Sequence, residues 1–454
     1  DGDTSEYGIY TDMYSYATVI LTILVFRLDT ALFRFGSKGN IQHVFNTGFF
    51  AVLGFCALSL LILLPLVAPL ANLLHYEDSP HYIRWFAYIL VLDAITALVF
   101  ARLRLQSRPY KFIFYKMVNV GLTIGFVLLF LEFLPNFSPD FLSSIQSRLG
   151  TTRLIDFVFL SNLIASGAVV LFMIPEFKNV GFQFDIALFR KMSWYALPLV
   201  FVALAGNINQ AFAAPLQKEL LGENILDNLA NAGIYGAAAK LAILLNLFTT
   251  AFNYAAEPFF FNNADKKNAK QTYGKVALAF TIVACLAALG LIFYIDLLLL
   301  LLGEQYRSAI NVVPILLFAY VFLGLYYNIS IWYKLKDKTH IGAIISFVGV
   351  AITLIISVTL LPTIGTIASA WAALACYVVM VVIGYVVGQR YYPIDYPVKK
   401  ILAYIILSIL LSIAALYIRS IVSLLPYLLL VSLVMSLLII YVHKLELPAL
   451  MRDD

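Results

Sequence analysis

Residues 7–35 read YGIYTDMYSYATVILTILVFRLDTALFRF, and residues 232–260 read AGIYGAAAKLAILLNLFTTAFNYAAEPFF. Each contains a Gly-Ile-Tyr run, Gly8-Ile9-Tyr10 or Gly233-Ile234-Tyr235, at the head of a long apolar stretch. Each closes on aromatic-rich residues, Ala31-Leu32-Phe33-Arg34-Phe35 or Glu257-Pro258-Phe259-Phe260-Phe261. A three-residue match carries little alone. Its position before two spans of the same orientation implies a parallel repeat about an axis along the membrane normal.

The rest of the chain fits a membrane solvent. Of 454 residues, 62% are hydrophobic and 12% charged, with a mean hydropathy of +0.92. Soluble domains carry roughly 25% charged residues, and a span needs about 20 mostly apolar ones. On that measure thirteen spans are expected: 12–35, 46–74, 82–103, 110–134, 153–175, 193–214, 232–261, 274–302, 309–333, 340–361, 364–389, 399–418 and 421–443. Lipid cannot satisfy backbone polar groups, so the spans must be helices. The expected fold class is an all-α polytopic membrane protein.

The connections alternate in charge. One set carries Lys38, then Arg102, Arg104 and Lys111, then Lys266 and Lys270, then Lys334, Lys336 and Lys338. The other is poor in Lys and Arg and carries Asp1, Glu77, Asp78, Glu223 and Glu304. The positive-inside rule puts the first set and the C-terminus in the cytoplasm. Residue 1 then lies outside. The second half has a complete span, 193–214, before its Gly-Ile-Tyr, so the repeat and the topology both place one further span upstream of residue 1. Fourteen are expected in all. The repeat divides the chain into an N-terminal lobe (1–190), a C-terminal lobe (191–392) and two additional helices with a cytoplasmic tail (393–454).

Several classes of chemistry find no support. Cys56, Cys285 and Cys376 each sit in an apolar run, and the five histidines are scattered without metal-ligand spacing. No Walker-type loop is present, and a net charge of +5 is too small to indicate nucleic acid. No cofactor or metal is expected.

Further motifs follow in order: Glu6-Tyr7-Gly8-Ile9-Tyr10-Thr11, Thr30-Ala31-Leu32-Phe33-Arg34-Phe35 and Gly233-Ile234-Tyr235-Gly236-Ala237-Ala238. After them come Ala251-Phe252-Asn253-Tyr254-Ala255-Ala256-Glu257-Pro258-Phe259, the stretch from Tyr326 to Lys334, and Pro362-Thr363-Ile364-Gly365. Through these the chain resembles the polysaccharide-export branch of the multidrug/oligosaccharidyl-lipid/polysaccharide exporter superfamily. It looks most like the oligosaccharide flippases of lipopolysaccharide (O-antigen) synthesis. The resemblance implies fourteen helices, as two pseudo-symmetric six-helix lobes around a central cavity plus two extra helices. It also implies a monomer in the bacterial inner membrane.

Ionisable and polar groups within spans are the candidate site residues. Arg27 and Arg34, seven apart, fall on one helical face. They could bind the pyrophosphate of a polyprenyl-linked sugar, or snorkel to the headgroups. Asp29 points away from Arg27 and pairs elsewhere. Asn246, Thr250, Asn253 and Glu257 make one polar face on an apolar helix, either lining water or joining helices. Asn207 and Gln210 read the same way, and Lys240 is a further cation. Asp29, Asp93 and Glu257 are the carboxylates available for ion coupling, although Asp93 could instead pair with Lys116.

The function implied is a non-enzymatic flippase for a polyprenyl-pyrophosphate-linked oligosaccharide. Its partners are that substrate and membrane lipids, with room for other polysaccharide-assembly proteins and none for nucleic acid. An ion-coupled drug or metabolite exporter of the same superfamily is the alternative. A polytopic glycosyltransferase or polysaccharide polymerase is more distant, because the outer loops 135–152 and 215–231 hold no convergent acid and base.

Overall fold

The computed structural model describes residues 4–36, 40–150, 153–178, 180–181, 183–264, 266–336, 338–446 and 448. Lys38 and Asp1, used above for orientation, lie outside these. Among the described residues the secondary structure is entirely helical. Thirteen helices are long and apolar enough to cross a membrane. They are α1 Thr4–Gly36, α2 Ile41–Leu63, α3 His81–Leu105, α4 Pro109–Phe137, α5 Leu154–Phe172, α6 Ile186–Ala211 and α7 Ile225–Asn263. The remainder are α8 Ala269–Phe293, α9 Val312–Leu335, α10 Thr339–Ile364, α11 Ile367–Tyr391, α12 Val398–Ile421 and α13 Leu424–Lys444.

Each matches one expected span, and the polar residues between them explain the boundaries. Asn40 caps α2 by accepting from the backbone N–H groups of Gln42 and His43. Asp185 caps α6 through Leu188, and Asn224 caps α7 through Leu226 and Asp227. Such caps satisfy N–H groups that have no partner within the helix. The cap on α7 carries that helix seven residues further out than the apolar run alone indicated, to 39 residues.

Several expected spans are interrupted, three of them as follows. Span 46–74 stops at Leu63 and resumes as a short helix, Val67–Leu73, around Pro65. Span 274–302 ends as a long helix at Phe293, followed by Ile295–Leu299. Within α1 the backbone turns left-handed at two consecutive residues, Phe26 (φ 49°) and Arg27 (φ 51°), separating Thr4–Val25 from Leu28–Gly36.

The chain forms two compact units, one of Ile9–Pro215 and one of Leu216 onward together with the start of α1 through Gly8. In lipid, helices associate by close packing more than by hydrophobic exclusion. In the N-terminal unit the ring of Phe159 on α5 meets Tyr82 and Phe86 of α3 edge-on at 5.1 and 4.9 Å. At one end of that unit Glu176 takes charge from two helices. Lys111 Nζ stands 2.6 Å from one carboxylate oxygen, and Arg102 Nη2 donates to the Glu176 carbonyl at 2.6 Å. The Arg102 guanidinium also lies over the Phe45 ring at 4.1 Å.

In the C-terminal unit α9 is the central helix, and Gly324 on it leaves space that the Phe280 ring of α8 fills. The last two helices dock on α8 through Tyr427, Val431 and Ala415 against Leu289 and Phe293. A bidentate Arg419–Asp296 pair, with contacts of 2.6 to 3.0 Å, closes that contact.

Candidate functional site

The break in α1 is the most unusual polar feature of the N-terminal unit. Left-handed backbone costs about 1–2 kcal/mol at each L-residue, and here neither residue is glycine. Arg27 becomes the cap of Leu28–Gly36, its carbonyl accepting from Thr30 and Ala31 N–H at 3.1 Å each. Its guanidinium is half-buried, and Nε is buried without a hydrogen-bond partner among the described residues. A planar cationic fork therefore stands at the positive end of a short helix, an arrangement that favours an anion.

Among the described residues Asp29, in the first turn of that helix, accepts only a long 3.5 Å bond from Thr30 Oγ1. Arg34 is exposed, with its guanidinium 4.2 Å from the ring centre of Tyr195 on α6. Because the break interrupts the helical rotation, Arg27 and Arg34 do not share one continuous face. The expectation drawn from their seven-residue spacing is corrected accordingly.

Other polar groups in this unit are knitted into interhelical bonds. Asn207 Nδ2 donates to Thr22 Oγ1 at 2.6 Å and to the Thr18 carbonyl at 3.4 Å, joining α6 to α1. Gln210, one turn on, is exposed. Asp93 accepts from Ser166 Oγ at 3.0 Å, and Asn162, four residues before Ser166 on α5, donates to the Tyr14 hydroxyl. Lys116 lies over the Phe100 ring at 4.5 Å and forms no ion pair with Asp93.

Sequence reasoning missed Asp12. It is fully buried in α1 and accepts from Tyr76 Oη at 2.7 Å. Its partner is 64 residues away, and no local pattern announces it. An apolar cavity of about 250 Å³ in the same unit is lined by Met13, Tyr16, Ile20, Leu70, Ile83 and Phe86, which suits hydrocarbon rather than sugar.

In the C-terminal unit the polar residues of α7 lie on an unbroken helix, so their spacing holds in three dimensions. Asn246, Thr250 and Asn253 are half-buried, with no side-chain partner among the described residues. Glu257, at the end of the row, pairs with Lys334 of α9 at 2.8 Å. Lys240 is exposed, with Nζ 4.7 Å from the Tyr7 ring centre. Thus α7 presents a row of neutral hydrogen-bonding groups with a cation over the Tyr7 ring toward one end and a neutralised carboxylate at the other.

Just outside the spans, Asp185 sits beside His43, with Nε2 3.3 Å from Oδ2. Its carboxyl is held below the usual carboxylate range, chiefly by the Leu188 N–H and then by His43.

No known family pattern matches the chain, and no curated protein matches its sequence. Solved structures do match. The lipid II flippase MurJ, in an inward closed conformation, superposes with a TM-score of 0.68 at 13% identity over 99% of this chain and 98% of that one. An inward-facing multidrug resistance MATE family transporter of the MOP superfamily gives 0.60 at 12% identity, covering 85% and 89%. The bent form of the Vibrio cholerae MATE transporter VcmN gives 0.52 at 14%, covering 88% of each. The chain thus has the fold that the MurJ flippase and the MATE transporters share.

Proposed function

We propose that the chain is a flippase that carries a polyprenyl-pyrophosphate-linked oligosaccharide across the bacterial inner membrane by alternating access. Arg27 carries this reading. A guanidinium with an unpartnered Nε at a helix break is matched to a pyrophosphate, which needs a planar donor set at membrane depth. Gln210 of α6, exposed in the same unit as Arg27, supplies hydrogen bonds for sugar hydroxyls. Arg34 and Asn207 serve mainly to hold helices together. With the Lys- and Arg-rich connections on the cytoplasmic side by the positive-inside rule, the substrate enters from that side. The likeness to MurJ supports a lipid-linked substrate, since that protein is a lipid II flippase.

A second reading has its own observation. Asp93 is a carboxylate at membrane depth, hydrogen-bonded to Ser166 and without an ion-pair partner among the described residues. Such a group suits coupling to a cation, as an exporter requires. The likeness to MATE transporters is compatible with it. Glu257, already paired with Lys334, suits that role less.

The two readings separate in a strain lacking its own polysaccharide flippase. The gene is expressed there and surface glycan is measured against lipid-linked precursor trapped inside. Return of surface glycan with a falling precursor pool supports flipping. Failure of a correctly inserted protein across several glycan systems favours the exporter.

A further inference from the structure

At the end of the C-terminal unit where α7 meets α8, α9 meets α10 and α11 ends, three lysines converge on two adjacent tyrosines. Lys270, in the first turn of α8, places Nζ 5.0 Å from the Tyr392 ring centre. Lys336, after α9, reaches the same ring at 5.1 Å. Lys338 lies 4.5 Å from the ring centre of Tyr391. None of the three stands within ion-pair distance of a carboxylate among the described residues. By contrast, Lys334 next to them is neutralised by Glu257. One ring holding two ammonium groups is a concentration of charge that no carboxylate among the described residues offsets, although like charges at close range repel.

The tyrosines are fixed from behind. Trp332, fully buried, stacks on Tyr391 at 8° and 5.6 Å and donates from Nε1 to the Gly384 carbonyl at 3.1 Å. Tyr392 packs on a core of Ile394, Tyr273, Phe260 and Ile331. Gly274, where no methyl group would fit, lets the Asp395 backbone lie directly on α8. Asp395 is the acidic side chain described in this loop, and it is exposed. Tyr391, Lys270 and Lys336 are exposed as well.

A rigid aromatic base with three cations at the ends of membrane spans has the chemistry of an interfacial headgroup site. Tyrosine and tryptophan belong at the headgroup level. Lysine stems lie along apolar surface with the ammonium in the polar layer, and basic residues near the cytoplasmic leaflet attract anionic lipids. We propose that Lys270, Lys336 and Lys338, on the Tyr391–Tyr392 base, bind the phosphate of an anionic phospholipid headgroup. The proposal needs only that the helices span a membrane. It is independent of what the protein transports.

The test is native mass spectrometry of the delipidated full chain titrated with phosphatidylglycerol or phosphatidylcholine. The wild type should retain phosphatidylglycerol at least about tenfold better. K270Q/K336Q/K338Q should lose that preference, and K270R/K336R/K338R should keep it, which also shows that the platform folds. The single variants K270Q and K336Q should each lose part of it. The variant K266Q/K267Q/K399Q removes equal charge from exposed lysines outside the cluster and should retain the preference. An unchanged preference in the triple glutamine variant would overturn the proposal. So would an equal loss in the control, which would mean diffuse charge attraction, or displacement of the lipid by millimolar inorganic phosphate, which would mean a site for the free anion.

Discussion

Gly8 and Gly233, the glycines of the two Gly-Ile-Tyr runs, pack against each other with no room for a side chain on either. A methyl group on Gly233 would stand 2.7 Å from Gly8 N and closer still to the Thr4 carbonyl. One on Gly8 would strike the Leu229 carbonyl. The start of α1 and the outer turns of α7 therefore cross backbone to backbone, as small residues permit in membrane helices. The repeated motif is also a contact between its own two copies.

Gly8→Ala and Gly233→Ala should each destabilise the protein by about 1–3 kcal/mol through overpacking. Gly54→Ala on α2, where a methyl group meets open space, should be neutral or slightly stabilising. Thermal unfolding in detergent measures all three. Equal midpoints for the three variants would mean that the crossing is not tight.

Glu176 is 6% exposed and Arg102 3%, so their pair is screened little by solvent, while Lys111 reaches Glu176 from the surface. Glu176→Ala leaves a buried guanidinium without its counter-charge, which costs about 3–5 kcal/mol. Loss of folded protein on size-exclusion chromatography is expected, and a smaller defect for Glu176→Gln, which also removes the counter-charge but keeps a side-chain oxygen acceptor and most of the volume.

Glu257 and Lys334 are each partly exposed, so breaking their pair should cost only about 0.2–1 kcal/mol. The exchanged variant E257K/K334E should recover what either single change loses, in both stability and transport. Recovery of stability without transport would return Glu257 to the list of coupling carboxylates.

Asp185 links stability to pH. Its folded carboxyl is held below the ordinary range by the Leu188 N–H and His43. Its contribution is therefore complete above the unfolded value, about pH 3.9, and is lost as pH falls through the lower folded value. Asp185→Ala should lower the unfolding midpoint at pH 6, and the difference from wild type should shrink below about pH 4. A difference independent of pH would assign the effect to packing.

The thirteen helices were legible because hydropathy over some 20 residues needs no knowledge of partners. The row from Asn246 to Glu257 was legible too, since α7 is continuous and spacing on a regular helix is geometry. The break at Phe26 and Arg27 was not. Helix breaks are announced by proline and glycine; Pro65 carries that signal although hydropathy makes 46–74 one span, and neither residue occurs at Phe26–Arg27. The pairings Asp12–Tyr76, Glu257–Lys334 and Asp93–Ser166 were hidden for another reason: each joins residues more than 60 positions apart, and only the packing of helices brings them together. The cap at Asn224 shows a third limit, because a polar first turn extends a helix beyond its apolar run.

The central claim is that Arg27 holds the phosphate of a lipid-linked glycan. Arg27→Asn tests it well, because asparagine tolerates the left-handed backbone at this position while removing the guanidinium. The measurement is flipping of a polyprenyl-pyrophosphate-linked oligosaccharide in proteoliposomes, read by access of an external glycosidase. The account predicts flipping by the wild type and a loss of tenfold or more in a folded Arg27→Asn variant. Undiminished flipping in that variant would contradict it.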